Sequence, residues 1–245
     1  MPALLEGCTI EEFLAFQVSR EVRDLERTAV GTLSPVPLLG TLHARASHAP
    51  HGKFLFLGSD DTPVTEGSKE LFDLAQRGNL DLFFLSGAQV DRKGNINLTC
   101  IGEYGSPKVR LPGGAGSAML YYMTRRVVLF TLSHTPRVFV EKCDFVTSAG
   151  STPQDPWRRG GPTRLLTPLC TMEYDPRAAE WRLLSLHPGV SFGEAQRETG
   201  FPLAPADVPE TPSPSADDLA LIRAQIPLLA RSYPLFAESL TKRIR

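Results

Sequence analysis

The sequence predicts an open, mostly parallel α/β sheet flanked by helices on both faces. Short apolar runs such as Phe54–Leu57, Asp81–Leu85 and Arg126–Leu132 stop abruptly at glycine or polar residues, as buried strands do at their carboxyl ends. Stretches of helical periodicity lie between these runs, so strand and helix alternate. At 245 residues, 42% hydrophobic and 22% charged, the chain can bury a sizeable core. The expected organisation is a single domain over 1–245, with a C-terminal strap and helix at about 202–245.

Thr9, followed by Glu11 and Glu12, starts a helix whose apolar positions Phe13, Phe16, Val18 and Val22 carry it to about Arg27. Thr28–Leu33 is a strand that runs into Ser34-Pro35. Pro37–Ser47 is a second helix with Leu38, Leu39 and Leu42 inward, stopped at Ala49-Pro50. The Phe54–Leu57 strand then opens into Gly58-Ser59-Asp60-Asp61, and loops at such strand ends line the crevices where α/β proteins bind ligands. Ser68 caps a helix containing Leu71, Phe72 and Leu74, which Arg77-Gly78 closes before the Asp81–Leu85 strand.

Two glycine-rich loops follow. Gly87–Asn97 brackets a tight turn at Lys93-Gly94-Asn95, with Asn95 and Asn97 holding it through side-chain hydrogen bonds, and leads to a short strand near Leu98–Ile101. Pro112–Ser117 opens an apolar helix, Ala118–Met123. Glycines ahead of a helix start let a ligand approach the backbone, and free amides there attract anions; a plain structural turn has the same pattern. The Lys-Ser/Thr of a P-loop is missing, which argues against nucleoside triphosphate hydrolysis.

The second half continues with strands at Arg126–Leu132 and Arg137–Glu141 and a Gly/Pro/Ser/Arg-rich loop at Ser148–Thr163. Strands at Leu165–Glu173 and Glu180–Leu186 and a short helix at Gly193–Glu198 come next. Pro202–Pro214 reads as an extended strap. Ser215–Asp218 starts the last clear helix, with Leu219, Leu221 and Ile222 inward.

A net charge of −1 points to no nucleic-acid or anionic-membrane partner. The longest apolar run falls far short of the ~18 residues of a membrane span. No signal-peptide pattern opens the chain. Cys8, Cys100, Cys143 and Cys170 are scattered without a CxxC pair, as expected of free thiols in a reducing cytoplasm. His43, His48 and His51 lack an adjoining acidic or cysteine partner, so no metal site is expected. His187 reads as a structural turn histidine, and His134 falls at a strand end.

In this order, Ser47-His48-Ala49-Pro50, the strand ending in Gly58, Leu74–Gly78, Gly87–Asn97, Pro112–Gly116 and Leu186-His187-Pro188-Gly189-Val190 resemble the β subunit of family I coenzyme A transferases, of the glutaconate CoA-transferase type. The resemblance runs from the first helix to about Ile226 and is specific because the Gly87–Asn97 and Leu186–Val190 segments occur together in this order. It implies an α-type partner chain of similar fold, with the active site between the two chains. The substrate would be an acyl-CoA, with no cofactor beyond the CoA it carries. Transferases of this family attack the thioester with a glutamate in a Glu-Ser/Asn-Gly motif. The implied CoA-binding residues are Gly87, Gln89, Gly113, Gly114, Ala115, Gly116 and Ser117, although Leu111 stands where the family's first loop glycine belongs.

The decisive motif is altered. Setting Gly58 on the motif glycine puts Phe56 in the glutamate position and Leu57 where Ser or Asn belongs. The implied catalytic strand end is therefore Phe56, Gly58, Ser59 and Asp60 with its nucleophile vacated. Relatives without this glutamate resemble decarboxylases of glutaconyl-CoA-like thioesters or ring-cleaving carbon–carbon hydrolases, so a non-transferase reaction is expected. The alternatives are transfer through another carboxylate, such as Asp60 or Asp61, and a non-catalytic CoA-binding or stabilising subunit.

Overall fold

The computed structural model describes residues 6–59, 67–152, 158–205 and 207–244. The first half contains α1 (Ile10–Glu21), β1 (Arg27–Val30), α2 (Pro35–Ser47), β2 (Lys53–Phe56), α3 (Ser68–Gln76) and β3 (Leu82–Leu85). Short strands β4 (Gln89–Asp91), β5 (Ile96–Asn97), β6 (Cys100–Ile101) and β7 (Val109–Arg110) lead to α4 (Ser117–Met123). The second half holds β8 (Arg126–Phe130), β9 (Phe139–Val140), β10 (Pro162–Leu166), β11 (Cys170–Asp175) and β12 (Glu180–Leu186). Helices α5 (Phe192–Glu198), α6 (Ala216–Ala224), α7 (Ile226–Ser232) and α8 (Pro234–Arg243) follow.

Seven strands form the main sheet in the order β12-β11-β10-β8-β3-β1-β2. From β10 through β2 every pairing is parallel; β11 is antiparallel to both neighbours. Alternation along each strand sorts the core into two faces. Val30, Phe56, Leu82, Phe84, Val128 and Phe130 meet α1, α2 and the C-terminal helices. On the other face Ala29 and Phe83 pack on α3 and α4, while Val127, Leu129 and Leu165 meet the small β5-β4-β9 sheet. The sheet is thus mostly parallel and covered on both sides, as the alternation of the sequence predicts.

Local signals explain most boundaries. Thr9 caps α1 by accepting from the Glu12 amide at 3.2 Å, and the Glu12 carboxylate accepts from the Thr9 amide at 2.8 Å. That helix ends at Glu21, earlier than the expected Arg27, because Val22 turns extended and Leu25 takes a positive φ of 66°. The N-cap of α3 is Gly67 rather than Ser68. Leu165–Glu173 is not one strand. Thr167 turns the chain between β10 and β11, its hydroxyl accepting from the Leu169 and Cys170 amides at 3.2 and 3.0 Å, and Pro168 offers the ladder no donor.

The tail holds two helices beyond the expected one. Residues 209–211 join the free edge of β12, where Leu186 N donates to Pro209 O and Thr211 N to Leu186 O. Helices α6, α7 and α8 then return to the face of α1 and α2. Arg223 pairs with the buried Glu12 at 2.6 Å, and Arg243 pairs with Glu11. Ile222, Leu229, Ala237 and Leu240 close that core. Cys100, Cys143 and Cys170 are buried free thiols, and Cys8 is half-buried and free. No helix among the described residues is long and apolar enough to cross a membrane.

Candidate active site at the carboxyl edge of the sheet

The strand order fixes where a crevice must open. From β1 the chain crosses on one face through α2 to β2, then back on the other face through α3 to β3. The loops after β1 and β3 therefore diverge, which is the switch point where open α/β sheets bind ligands. One wall is Gly31–Ser34 and the other is Ser86–Ala88; Gly58, following β2, turns with φ 81° beside Thr32.

At the start of α2 the sequence Ser34-Pro35-Val36-Pro37 removes two of the first backbone donors, and the Ser34 hydroxyl makes no cap. This helix end is a poor anion site, so the wall it supports suits an apolar group. Leu33 is displayed there, 87% exposed with φ 60°. Leu132, at the end of β8, is also exposed along this edge.

Phe56 does not face the crevice. The pleat turns its ring to the α2 face, 4% exposed, stacked near Phe54 at 6.1 Å, with the Arg45 guanidinium 6.0 Å from its centroid. Leu38, Leu42, Leu228 and Ser232 surround a small void beside it, which Ser59 also lines. Asp60 and Asp61 lie outside the described residues.

The Gly87–Asn97 segment is a self-satisfied scaffold. The Asp91 carboxylate accepts from the Lys93 and Asn95 amides, both at 3.0 Å, and from Asn95 Nδ2 at 2.9 Å. Asn95 Oδ1 accepts from the Gly150 amide at 2.9 Å. Gln89 is buried, and its amide is spent inside this cluster. Its Nε2 donates to Asp144 at 3.1 Å, while its Oε1 accepts from Asn97 Nδ2 at 2.8 Å and the Asp144 amide at 3.0 Å. Gly87 is held by space, since a Cβ would meet Gln89 O at 2.9 Å.

The Pro112–Ser117 loop divides in two. Gly113 takes φ 93° with open space around it, and Ala115, at φ 43°, is exposed. Gly114 and Gly116 face inward. A Cβ would come within 2.5 Å of the Thr147 methyl at Gly114 and 2.2 Å of the Phe72 ring at Gly116. Ser117 is buried with its hydroxyl 3.2 Å from that of Ser148. A left-handed Ala115 beside Gly116 at φ −89°, ψ 5° has the alternation of backbone regions found in anion-binding concavities. Ser117 N donates to Gly114 O, whereas the amides of Gly114, Ala115 and Gly116 have no acceptor among the described residues.

His187 and His134 are structural in their contacts. His187 Nε2 donates to Thr167 O at 2.7 Å, and its Nδ1 lies 2.9 Å from the Thr211 hydroxyl. His134 lies between the hydroxyls of Thr167 and Thr199, at 2.8 and 2.9 Å. Burial pushes His187 down to about 4 and His134 to about 3. No group of three or more His, Cys, Asp or Glu among the described residues is placed to hold a metal.

This combination of a parallel switch-point crevice, a scaffolded glycine loop and an amide concavity agrees with comparisons to known proteins. A family model described as coenzyme A transferase matches residues 52–194. The chain belongs to the coenzyme A transferase family. It is 41% identical over 172 residues to the β subunit of the 3-oxoadipate CoA-transferase of Pseudomonas knackmussii, a match covering 67% of this chain and 65% of that relative. Against the β subunit of the glutaconate CoA-transferase of Acidaminococcus fermentans it is 26% identical, covering 89% of this chain and 92% of the other. The crystal structure of the decarboxylase AibA/AibB superposes with a TM-score of 0.76 at 29% identity, over 88% of this chain and 94% of that one. Within the family this chain is of the β type, and relatives of one fold carry names for different reactions.

Sequence reasoning missed three residues that shape this edge. Asp144 and Thr147 sit on the segment after β9, where Thr147 Oγ1 accepts from the Leu98 amide at 2.8 Å. Tyr233 comes from the C-terminal tail and reaches the loop after β1. None carries a local signal, because each meets its partner from a distant part of the chain.

Proposed function

We propose that this chain is the β-type subunit of a heteromeric enzyme that decarboxylates a dicarboxylic acyl-CoA thioester. The reading rests chiefly on Phe56. A transferase must store CoA on a carboxylate at the end of β2, whereas this chain has a core-facing phenylalanine there. Loss of CO2 moves the bonding electrons toward the thioester carbonyl and needs no base to begin. It is favoured where the departing carboxylate is poorly hydrated and where donors meet the developing oxyanion. Among the described residues, the crevice walls Gly31–Ser34 and Ser86–Ala88 carry no ionisable side chain. The open amides of 114–116 suit the CoA portion or the thioester oxygen. An α-type partner completes the site and supplies the proton for the product carbanion; AibA/AibB, which the fold matches, is itself a decarboxylase of two named components.

A second reading is CoA transfer through another carboxylate. It draws on the 41% identity to a chain named as part of a transferase. One experiment separates the two. The complex with its α-type partner is incubated with glutaconyl-CoA, released CO2 is measured, and intact masses are taken after acid quench. The expected result is CO2 release with no mass gain on this chain. A gain of one CoA would establish transfer, and acid products without CO2 would establish hydrolysis.

The concavity has its own test. Ala115→Asp places a negative charge among the open amides, and aspartate tolerates the left-handed backbone of this position. Acyl-CoA affinity is expected to fall at least about tenfold, equivalent to 1.4 kcal/mol. Affinity unchanged in isothermal titration would remove this loop from the CoA site. Gly114 is a poorer probe, since any side chain there first collides with Thr147.

A further inference from the structure

We infer that Tyr233 is a positioning residue for the crevice, holding the loop after β1 so that Leu33 stands as an apolar wall against the acyl chain. The inference rests on the acyl-CoA reading above for the ligand, and on geometry alone for the clamp. Leu33 is the anomaly that calls for a cause. A leucine with φ 60° is strained, and one that is 87% exposed recovers nothing through burial. Such a conformation persists only where its surroundings over-determine it.

The Tyr233 phenol supplies that constraint from both sides. It accepts from the Ser34 amide at 3.1 Å and donates to Gly31 O at 3.5 Å, so its two bonds bracket Thr32 and Leu33. Ser34 is itself buried, and its hydroxyl lies 3.4 Å from Thr32 O. Tyr233 joins α7 to α8 and packs on the α1–α2 core. The C-terminal helices are therefore a strut, and the phenol is its contact with the crevice. Leu235, two residues on, is 81% exposed.

Tyr233→Phe removes both bonds and keeps the ring, so the strut itself stays packed. In the complex with the α-type partner, the Ser34 amide is expected to exchange with deuterium roughly tenfold faster, with the core amides of β1 unaffected. The KM for acyl-CoA is expected to rise roughly threefold to tenfold while kcat changes less. Leu33→Gly adopts the left-handed backbone without strain yet deletes the wall. It should raise KM by a similar factor, and combining the two changes should add little more. Unchanged Ser34 exchange in Tyr233→Phe would overturn the clamp. A fall confined to kcat, or an unaltered KM in Leu33→Gly, would overturn the acyl wall. If the unsubstituted complex consumes no acyl-CoA, the acyl-CoA reading falls with its wall, and exchange at Ser34 still decides the clamp.

Discussion

Replacing Phe56 with glutamate will destabilise the chain by about 3–5 kcal/mol and will not create a CoA-accepting carboxylate. The ring is 4% exposed and packs with Leu38 and Leu42 under α2. A carboxylate placed there loses the packing of an aromatic ring and meets a desolvated surround. The Arg45 guanidinium lies 6.0 Å from the ring centroid and is half-buried, forming no ion pair among the described residues. A charge introduced beside that guanidinium would be held toward the core, away from the thioester. A urea titration should show the loss as a lower midpoint at unchanged slope. Acid-quenched masses should show no gain of CoA. Full stability together with a gain of one CoA would mean that the β2 end faces the substrate and needs only its carboxylate restored.

Acid will destabilise the chain through His134 and His187. Both are neutral and buried against Thr167, His134 at its hydroxyl and His187 at its backbone carbonyl, and their folded values of about 3 and about 4 lie below the ordinary 6.5. The unfolded chain therefore binds these protons first as pH falls. Their contribution is intact above pH 6.5 and is lost as pH falls below it, His187's share by about 4 and His134's by about 3. Together the two groups remove on the order of 3 kcal/mol between pH 6.5 and 5. Denaturant titrations at pH 7 and pH 5 test this directly, and replacing either histidine with asparagine should halve the slope. Equal stability at the two pH values would mean that the rings find solvent or carboxylate partners on protonation.

Where the sequence was legible, a local rule was in force. The strands of the parallel sheet announced themselves as apolar runs with abrupt ends, and Thr9 and Ser215 carried their capping boxes in plain view. Thr167-Pro168-Leu169 was hidden inside an apolar stretch, so a hairpin looked like one strand. Helices α7 and α8 were obscured by Pro227 and Pro234, each of which sits at a helix start, where proline is tolerated. The glycine loop was recognisable as a candidate site, but the division of labour within it was not. Gly113 is conformational, set by its φ of 93°, and Gly116 is steric, set by the distant Phe72 ring. Gln89 reads as a ligand group from its neighbours alone. Asp144, 55 residues away, is what turns it inward.

The return of α6 to α8 onto α1 and α2 bears on how the protein is made. Glu12 meets Arg223 and Glu11 meets Arg243 across more than two hundred residues of chain. During synthesis the apolar stripe of α1, with Phe13, Leu14 and Val18, has no complete cover until residues 216–243 have cleared the ribosome. At about 5–20 residues per second that leaves the stripe open for roughly ten seconds or more. The stripe is then open to off-pathway contacts, and truncations within the last three helices should fail in expression before they fail in catalysis.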